Sequence, residues 1–448
     1  MWAAAHAMEL ESAVRLNGHP NNFVMSTSLI SDLEQRGLIA QISDRSGLDA
    51  HLSSGSRTVY CGFDPTADSL HIGNLVPLLM LRRFQIHGHR PIALVGGATG
   101  LIGDPSFKGN ERALNERDVV ESWVANLREQ VGRFVDRSGN NAAIVIDNLE
   151  WTQNLDVITF LRDVGKHFSV NAMMQKDSVR LRLAQPESGI SFTEFSYMLL
   201  QSMDYAELSK RYGCSVQIGG SDQWGNITSG MDLVRRTQGK ETFALTVPLI
   251  TKADGTKFGK TETGTVWLDA KRTSPYGFYQ FWLNTADADC VRYLGAFTFL
   301  DLEEIRELSL SLQQSPERRL SQRRLAEEVT RLVHGGEGLA SAERISSALF
   351  DGDIAKLTQD DLRQLQLDGM PCGIVDLEDS RLVVALGSSP LAQSRSAARK
   401  LIESGAVQIN GSPVTDAEAR LTSDAALHGR YHLIRRGKKS WLLLVHGE

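Results

Sequence analysis

Cysteine is scarce in this chain, and long apolar runs are missing from it. Its 448 residues include four cysteines, and none forms a C-x-x-C pair of the kind that zinc or redox sites use. No run of about 18 apolar residues occurs, so no segment is expected to span a membrane. The first residues carry Glu9 and Glu11 without a basic region, which is unlike a secretory signal. These absences predict a soluble protein of a reducing compartment, the cytoplasm.

The net charge is small and negative, but its distribution is uneven. Lys and Arg number 48 against 54 Asp and Glu, which gives −6. Residues 386–448 hold nine Lys and Arg against five acidic residues, a local charge of +4 on a body of −10. A basic tail on an acidic body is typical of local contact with a polyanion, although a solvated tail would have the same charge.

Hydrophobic periodicity divides the chain into five parts. Residues 1–25 show little periodicity and are predicted to be an N-terminal extension that is able to be disordered. Residues 26–250 alternate five buried-strand runs with helical stretches, which predicts a Rossmann-like α/β domain with a parallel sheet. The runs are RTVYCGF, PIALVGG, AAIVID, CSVQIGG and FALTVPLI. A helical domain is expected over 251–350 and a linker over 351–385. Residues 386–448 are predicted to form a small α+β domain that contains a basic helix.

The run YCGFDPTADSLHIGN joins a predicted strand to a predicted helix. Such a junction is where an α/β sheet binds nucleotides, with the helix N-terminus facing the phosphates. The phosphate loop G-x-x-x-x-G-K-[ST] occurs nowhere in the chain. Instead, His71 and Asn74 stand at the helix start, where both can donate hydrogen bonds to phosphate oxygens. A histidine that only caps the helix is the competing interpretation.

A cationic loop, TKFGKT, follows the last strand of the predicted sheet. Lys257 and Lys260 lie three residues apart on either side of Gly259, so the loop is able to fold over phosphates. Taken alone, a basic loop of this kind is as well explained by a solvated surface.

The run SFTEFSYMLLQSMDY predicts a helix, and Ser191 with Glu194 is a capping-box pattern at its start. Tyr197, Gln201 and Asp204 then recur at i, i+4 and i+7, so they share one face. The rest of the helix is strongly apolar, which indicates burial on several sides. Buried polar groups need partners, and a ligand is one candidate. An exposed polar face is the alternative.

Together these motifs resemble those of the bacterial-type tyrosyl-tRNA synthetases, with H-x-G-N and K-x-G-K-T in the places of the HIGH and KMSKS signatures of class I. The resemblance runs from about Ser26 to the C-terminus and is most specific in YCGFDPTADSLHIGN, GATGLIGDPSFKGNER, SFTEFSYMLLQSMDY, QIGGSDQWGNI and KFGKT. The run SRSAARKLIESGAVQINGSPV looks like an S4-type RNA-binding domain. Asn74 replaces a frequent second His and Thr261 a frequent Ser, and each keeps the hydrogen-bonding group.

The resemblance implies a two-step reaction that ends in tyrosyl-tRNA. L-tyrosine reacts with ATP to give tyrosyl-adenylate and diphosphate, and the tyrosyl group then passes to the 3′ end of tRNA(Tyr). The Mg²⁺ is carried by ATP, and no protein-bound metal is expected. The family is homodimeric, with roughly residues 118–190 at the interface, and no membrane partner is implied.

The resemblance also assigns roles to individual residues. The phosphate-handling, catalytic set is Thr66, His71, Asn74, Lys108, Arg112, Lys257, Lys260 and Thr261. The tyrosine set is Tyr60 and Asp204 at the phenol hydroxyl, with Asp104, Tyr197 and Gln201 around the ammonium group. The ATP set is Cys61, Gly62, Asp64, His71, Gly73, Asn74, Gly220, Asp222, Gln223 and Lys260, and the tRNA set is Arg395, Arg399 and Lys400. From the run GLIGDPS alone, Asp104 is equally well explained as a turn residue before Pro105.

Three other functions share part of this pattern. A tryptophanyl-tRNA synthetase has the same motif pair, but Tyr60 with Asp204 and the S4-like domain favour tyrosine. A small-molecule adenylyltransferase would leave the last 200 or so residues without a role. An RNA-binding factor without catalysis would be expected to have lost His71, Lys257 or Lys260, and all three are present.

Overall fold

The computed structural model describes residues 28–106, 115–184, 189–256, 258–261, 264–376 and 378–447. Within these ranges the chain forms two compact units. The first contains residues up to 260 and residues 285–325, and the second contains residues 261–284 and everything from 326 onward. The predicted extension over 1–25 and the side chains of Lys108, Arg112 and Lys257 lie outside the described residues.

The first unit is built on a six-stranded sheet. Its strands are β1 (Gln41–Ile42), β2 (Thr58–Phe63), β3 (Arg90–Val95), β4 (Ile144–Asp147), β5 (Cys214–Gly220) and β6 (Phe243–Val247). They lie in the order β1-β6-β5-β2-β3-β4, and all neighbours are parallel except β1 with β6. The predicted Rossmann-like parallel sheet is confirmed, and the five predicted strand runs form its five parallel strands.

Helices cover this sheet and supply the residues between the strands. They are α1 (Leu29–Gln35), α2 (Arg45–Ser53), α3 (Leu75–Ile86), α4 (Thr99–Ile102), α5 (Arg117–Gly132), α6 (Leu149–Thr152), α7 (Val157–Thr159), α8 (Val170–Met174), α9 (Asp177–Leu183), α10 (Phe192–Tyr212) and α11 (Trp224–Gln238). Shorter helical turns lie at Ile72–Asn74, Phe160–Val164, Gly165–His167 and Ser221–Gln223. Because helices pack on a parallel sheet, its strands are almost wholly buried and apolar, as in β6.

The order of the strands determines where a ligand can bind. The chain runs outward from β2 through β3 to β4, then crosses to the other side of β2 and continues through β5 to β6. The direction of winding therefore reverses between β2 and β5. In open α/β sheets, ligands bind at the carboxyl ends of the strands at such a reversal. Phe63 and Gly220 end these two strands.

The helices after the sheet are divided between the two units. Helix α12 (Pro275–Leu283) belongs to the second unit, whereas α13 (Asp287–Phe297) and α14 (Leu302–Gln314) group with the first. Arg83 of α3 explains part of this grouping, because its buried guanidinium donates to the carbonyl oxygens of Gly295 and Thr298 at 3.1 and 2.6 Å. The compact units therefore do not coincide with the predicted helical domain over 251–350.

The second unit ends in a mixed sheet. Its helices are α12, the part of α15 (Leu320–Asp351) from residue 326 onward, α16 (Gln359–Leu367), α17 (Leu382–Gly387) and α18 (Arg395–Glu403). Its sheet has the order β11-β10-β12-β13-β9, with β9 at Cys372–Val375, β10 at Val407–Ile409, β11 at Ser412–Val414, β12 at Tyr431–Arg436 and β13 at Ser440–His446. A short pair, β7 (Lys260–Thr261) and β8 (Gly264–Thr265), precedes α12. Helix α15 is broken at Gly335, whose φ of 75° is outside the helical range.

The stretch expected to be a linker, 351–385, carries regular structure. It contains α16, and its strand β9 pairs in parallel with β13. Leu362 and Leu365 of α16 pack in one apolar cluster with Leu433 and Leu443 of the terminal sheet. The Gly and Asp residues that suggested a linker lie in the turns between these short elements, and β9 has only four residues.

Helices of the described residues are too short or too polar to cross a membrane.

Candidate active site

A cavity of about 380 Å³ opens at the reversal point of the first unit. Its walls come from the carboxyl ends of β2, β3, β5 and β6, from the start of α3 and from one face of α10. Among the sequence-predicted residues, those that line it are Tyr60, Cys61, Gly62, Asp64, Thr66, His71, Gly73, Asn74, Asp104, Tyr197, Gln201, Asp204, Gly220, Asp222 and Gln223. The structure therefore brings together motifs that are separated by up to 160 residues or so in the chain.

The inner end of the cavity is closed by buried polar side chains. Tyr60 and Asp204 are only 1% and 3% exposed. Asp204 accepts hydrogen bonds from Trp151 Nε1 at 2.9 Å and Asn148 Nδ2 at 3.0 Å. Burial raises the pKa of Asp204 to about 7, although these two donors act in the opposite direction. Asp204 is thus a carboxyl group held in place from two sides at the end of the cavity.

Three polar atoms at the cavity wall have no hydrogen-bond partner among the described residues. They are the hydroxyl of Tyr60 and the Oε1 atoms of Gln201 and Gln217. Buried polar groups are almost always paired, and leaving one unpaired costs about 1–3 kcal/mol. Several unpaired groups around one cavity indicate that a polar ligand supplies the missing partners.

A hydrogen-bonded chain connects the middle of the cavity to its inner end. The Tyr197 hydroxyl donates to Asp64 Oδ2 at 2.6 Å, and the Thr99 hydroxyl donates to Asp64 Oδ1 at 2.7 Å. Asn148 Nδ2 donates to Thr99 Oγ1 and to Asp204 Oδ2, each at 3.0 Å. Tyr197, predicted at the ammonium group, and Asp64, predicted on the adenosine side, are therefore direct neighbours.

His71 caps the short helical turn at Ile72–Asn74. Its Nδ1 accepts from the Gly73 amide at 3.0 Å, and its own amide donates to Asn74 Oδ1 at 3.1 Å. Burial lowers the pKa of His71, so the ring is neutral near pH 7 and must carry its proton on Nε2. The capping interpretation is thus correct for Nδ1, and the same cap fixes Nε2–H as a donor.

The outer wall has room for a ligand next to the backbone. Gly62 on β2 is exposed, and a Cβ at that position would meet no atom within 4 Å. Packing therefore does not require glycine there, and the missing side chain leaves room for a ligand to approach the strand closely. Asp104 Oδ2 accepts from Gln223 Nε2 at 2.7 Å, and its Oδ1 accepts from the Ser106 amide at 2.9 Å. Asp104 is therefore both a turn residue and part of the cavity wall. Burial raises the pKa of the nearby Asp222.

The lysine loop is only partly described. Phe258 and Gly259 are placed, Lys260 and Thr261 are placed as backbone of β7, and Lys257 lies outside the described residues. A Cβ on Gly259, whose φ is +77°, would lie 2.4 Å from Ile72 Cγ2. The loop therefore reaches the turn that His71 caps.

Two expectations about the helix α10 have different outcomes. Tyr197, Gln201 and Asp204 do line the cavity from one face. The capping box is only half formed: Ser191 Oγ accepts from the Glu194 amide at 3.2 Å, but the Glu194 carboxylate pairs with Arg182 at 2.9 Å, both side chains being buried. Because the Glu194 carboxylate is engaged in this buried ion pair, it does not return to the Ser191 amide, and the reciprocal bond was wrongly predicted.

Sequence reasoning missed four polar residues at the site: Thr99, Asn148, Trp151 and Gln217. Asn148 and Trp151 directly follow β4, and Thr99 follows β3. The rule that sites form at the carboxyl ends of parallel strands could have found these three. Gln217 lies within β5, where only the structure shows it facing the cavity.

The residues predicted to contact tRNA lie on α18 in the second unit. Arg395, Arg399 and Lys400 are all exposed. Arg399 Nη2 forms a 2.8 Å ion pair with Glu418. Further basic residues, Arg436 and Lys438, are exposed at the β12–β13 turn.

Comparison with known families agrees with this arrangement. The family model "tRNA synthetases class I (W and Y)" matches residues 53–351. The chain therefore belongs to the class I aminoacyl-tRNA synthetases, and its fold is that of the class. A second model, "Tyrosine--tRNA ligase SYY-like C-terminal domain", matches residues 361–444, which include part of the stretch expected to be a linker.

Individual relatives narrow the family further. The chain is 58% identical over 424 residues to a tyrosine–tRNA ligase of Aliivibrio fischeri, covering 94% of this chain and 99% of that one. It is 56% identical over 416 residues to that of Dechloromonas aromatica, covering 93% and 98%. A truncated mitochondrial tyrosyl-tRNA synthetase of Aspergillus nidulans superposes with a TM-score of 0.66 at 29% identity, covering 78% and 99%. The chain belongs to the tyrosine–tRNA ligase family and is an enzyme of that family.

Proposed function

We propose that the enzyme joins L-tyrosine to tRNA(Tyr) in two steps, with the cavity of the first unit as the site of both. The observation that carries this proposal is the set of unpaired polar groups at the end of a nucleotide-type crevice: the Tyr60 hydroxyl has no partner among the described residues, and Asp204 is fixed beside it. A phenol hydroxyl can both accept from one of these groups and donate to the other.

The remaining groups of the cavity suit the polar end of the amino acid. Gln201 Oε1 is an unpaired acceptor, and the carboxylates of Asp64 and Asp104 lie on the same wall. An ammonium group donates three hydrogen bonds and accepts none, so it matches a wall of acceptors. The tyrosine carboxylate is then directed away from these acids, towards the outer part of the cavity.

In the first step, an oxygen of the tyrosine carboxylate bonds to the α-phosphorus of MgATP, and the bond from that phosphorus to the pyrophosphate oxygen breaks. The nucleophile is already an anion, so no general base is required. The reaction needs positioning and donors for the phosphate oxygens. His71 Nε2–H, the Asn74 amide group and Thr66 fit this role at the cavity mouth. By resemblance, Lys108, Arg112, Lys257, Lys260 and Thr261 hold the pyrophosphate.

Adenosine is assigned to the carboxyl ends of β2 and β5. The open space above Gly62 allows the nucleotide to lie against the strand, and Gly220, Asp222 and Gln223 border the same part of the cavity. Burial raises the pKa of the Cys61 thiol to about 12, so Cys61 contributes a neutral side chain there. The Mg²⁺ arrives with ATP.

In the second step, a hydroxyl of the terminal adenosine of tRNA attacks the tyrosyl carbonyl carbon, and AMP leaves. Residues 386–448 of the second unit are assigned to tRNA binding because of their local charge of +4 and because a tyrosine–tRNA ligase C-terminal domain model matches residues 361–444. Exposed Arg395 and Lys400 suit phosphate contacts. Since tRNA charging supplies protein biosynthesis, we assign the enzyme to the cytoplasm.

Charging of tRNA tests this proposal directly. Labelled tyrosine should become acid-precipitable on tRNA(Tyr) in the presence of MgATP, and omission of ATP should abolish it. If tRNA remained uncharged while tyrosyl-adenylate accumulated, the second step would be refuted and the first retained.

We also propose that the working enzyme is a homodimer. Seven of the large apolar side chains exposed in the described residues fall between 157 and 192: Val157, Ile158, Leu161, Val170, Met174, Leu183 and Phe192. Ile158 and Phe192 are 70% and 78% exposed. Apolar residues clustered in one part of a surface favour a protein partner, and the resemblance makes that partner a second copy.

Sedimentation of two variants tests the dimer. Ile158→Glu should convert a dimer to a monomer, whereas Leu310→Glu, at an exposed leucine of α14, should not. Equal sedimentation of both variants would contradict this interface.

A further inference from the structure

Helix α13 contacts the lysine loop through an aromatic cluster. The Phe258 ring stacks on the Phe297 ring at 5.3 Å between centroids, with 22° between planes. It also meets the Tyr293 ring edge-on at 5.2 Å. Two of the three rings, Tyr293 and Phe297, belong to α13 and are buried there. The third, Phe258, belongs to the loop. Aromatic pairs of this geometry contribute more than their buried area alone.

Side chains of α13 form hydrogen bonds with the backbone at the beginning of the same loop. Asp289 accepts from the Ala253 amide with both carboxylate oxygens, at 3.0 and 3.1 Å. The Thr251 carbonyl oxygen accepts from Arg292 and, at 3.2 Å, from the Tyr293 hydroxyl. Burial raises the pKa of Tyr293 to about 12, so this hydroxyl keeps its proton at neutral pH.

Helix α13 is also hydrogen-bonded to α3, the helix that follows the H-x-G-N motif. Arg83 of α3 donates to two carbonyl oxygens at the C-terminal end of α13, and α3 follows directly from the turn that His71 caps. In addition, Gly259 lies against Ile72 of that turn, with no room for a Cβ. Helix α13 is thus connected both to residues 251–259 and to α3.

We propose that α13 sets the position of the lysine loop relative to the His71 turn, and that Phe258, Tyr293 and Asp289 are positioning residues for adenylate formation. None of the three is among the residues that line the cavity. They act by holding the backbone on which Lys260 is carried, so they affect the step in which the pyrophosphate departs. Misplacing a catalytic group by about 1 Å can lower a rate roughly a hundredfold. This inference rests on the proposed function for its kinetic consequence only.

Kinetics of tyrosine-dependent ATP–pyrophosphate exchange test the proposal. Phe258→Ala should lower kcat by roughly ten- to a hundredfold and leave the KM for tyrosine within about twofold, because the tyrosine end of the cavity is unchanged. Phe258→Met refills the space with a flexible apolar side chain and should restore most of kcat. Phe134→Ala, at a buried phenylalanine of the same unit outside the cavity and the loop, should lower the Tm without lowering kcat.

Two further measurements separate positioning from mere stability. The double variant Phe258→Ala with Tyr293→Leu should be little slower than the slower single variant, since the two rings act as one support. In the ligand-free protein, the Ala253 amide should exchange with deuterium faster in Phe258→Ala than in wild type. Fully multiplicative rate losses, an unchanged Ala253 exchange rate, or a fall in Tm with normal kcat would overturn the proposal. An inactive wild type would instead refute the proposed function, and the exchange rate of Ala253 would still decide this inference.

Discussion

Removing the hydroxyl of Tyr60 should narrow the preference for tyrosine over phenylalanine. This hydroxyl is buried at the inner end of the cavity and has no partner among the described residues. A tyrosine substrate would supply a partner, whereas phenylalanine would leave the group unpaired. Pairing a buried polar group changes the free energy by about 1–3 kcal/mol, which corresponds to roughly 5- to 150-fold in kcat/KM. Tyr60→Phe should reduce the tyrosine-to-phenylalanine ratio by a factor in this range.

The assay is pyrophosphate exchange with each amino acid in turn, from which kcat/KM is obtained for both. Tyr205→Phe is the matched control. Tyr205 is also fully buried and lies 5.1 Å from the Tyr60 ring, but its hydroxyl donates to the Phe243 carbonyl oxygen at 3.0 Å. That variant should lose stability and keep the ratio. An unchanged ratio in Tyr60→Phe, or an equal change in both variants, would refute the assignment of Tyr60 to the phenol.

Three other predictions concern the loop, the tRNA and the pH dependence. Lys260→Ala should slow adenylate formation in stopped-flow by roughly 10²–10³-fold and leave the affinity for tyrosine nearly unchanged. A large loss of tyrosine binding with a normal rate of adenylate formation would contradict its role. The double variant Arg395→Gln with Lys400→Gln should raise the KM for tRNA and leave pyrophosphate exchange at the wild-type rate. The salt dependence of tRNA binding should become shallower by up to about two units of slope. An unaltered salt slope would show that neither residue contacts tRNA. Burial raises the pKa of Asp204 from 3.8 to about 7, so the unfolded chain loses this proton at a lower pH than the folded protein. Wild type should therefore lose about 2–3 kcal/mol of unfolding free energy relative to Asp204→Asn as the pH rises from 5 to 8. Parallel pH profiles of the two proteins in urea unfolding would show that Asp204 does not titrate in this range.

The alternation of apolar strand runs and amphipathic helices was enough to predict the parallel sheet. Each of the five runs, such as RTVYCGF, is predominantly apolar because its strand is covered on both faces. The strands β10 and β11 of the second unit could be predicted from AVQINGSPV, whose Asn-Gly pair marks the turn between them. Strand β9 was harder, since its four residues carry too little periodicity to be recognised and it joins its sheet through pairing with β13, which is distant in sequence.

Much of the site could be predicted because its residues lie at motif positions next to strand ends. What the sequence could not show is which polar groups face one another. The bond from Tyr197 to Asp64 joins residues 133 positions apart, and the position of Asp204 depends on Asn148 and Trp151, which follow a different strand. The roles of the predicted residues and the domain boundaries stay predictions.

The most direct test of the central claim is ATP–pyrophosphate exchange run separately with each of the twenty standard amino acids. Tyrosine alone should support rapid exchange, because only its hydroxyl reaches both Tyr60 and Asp204. Phenylalanine and tryptophan should be slower by orders of magnitude. Exchange supported equally by tryptophan, or by no amino acid at all, would contradict a tyrosine-activating site.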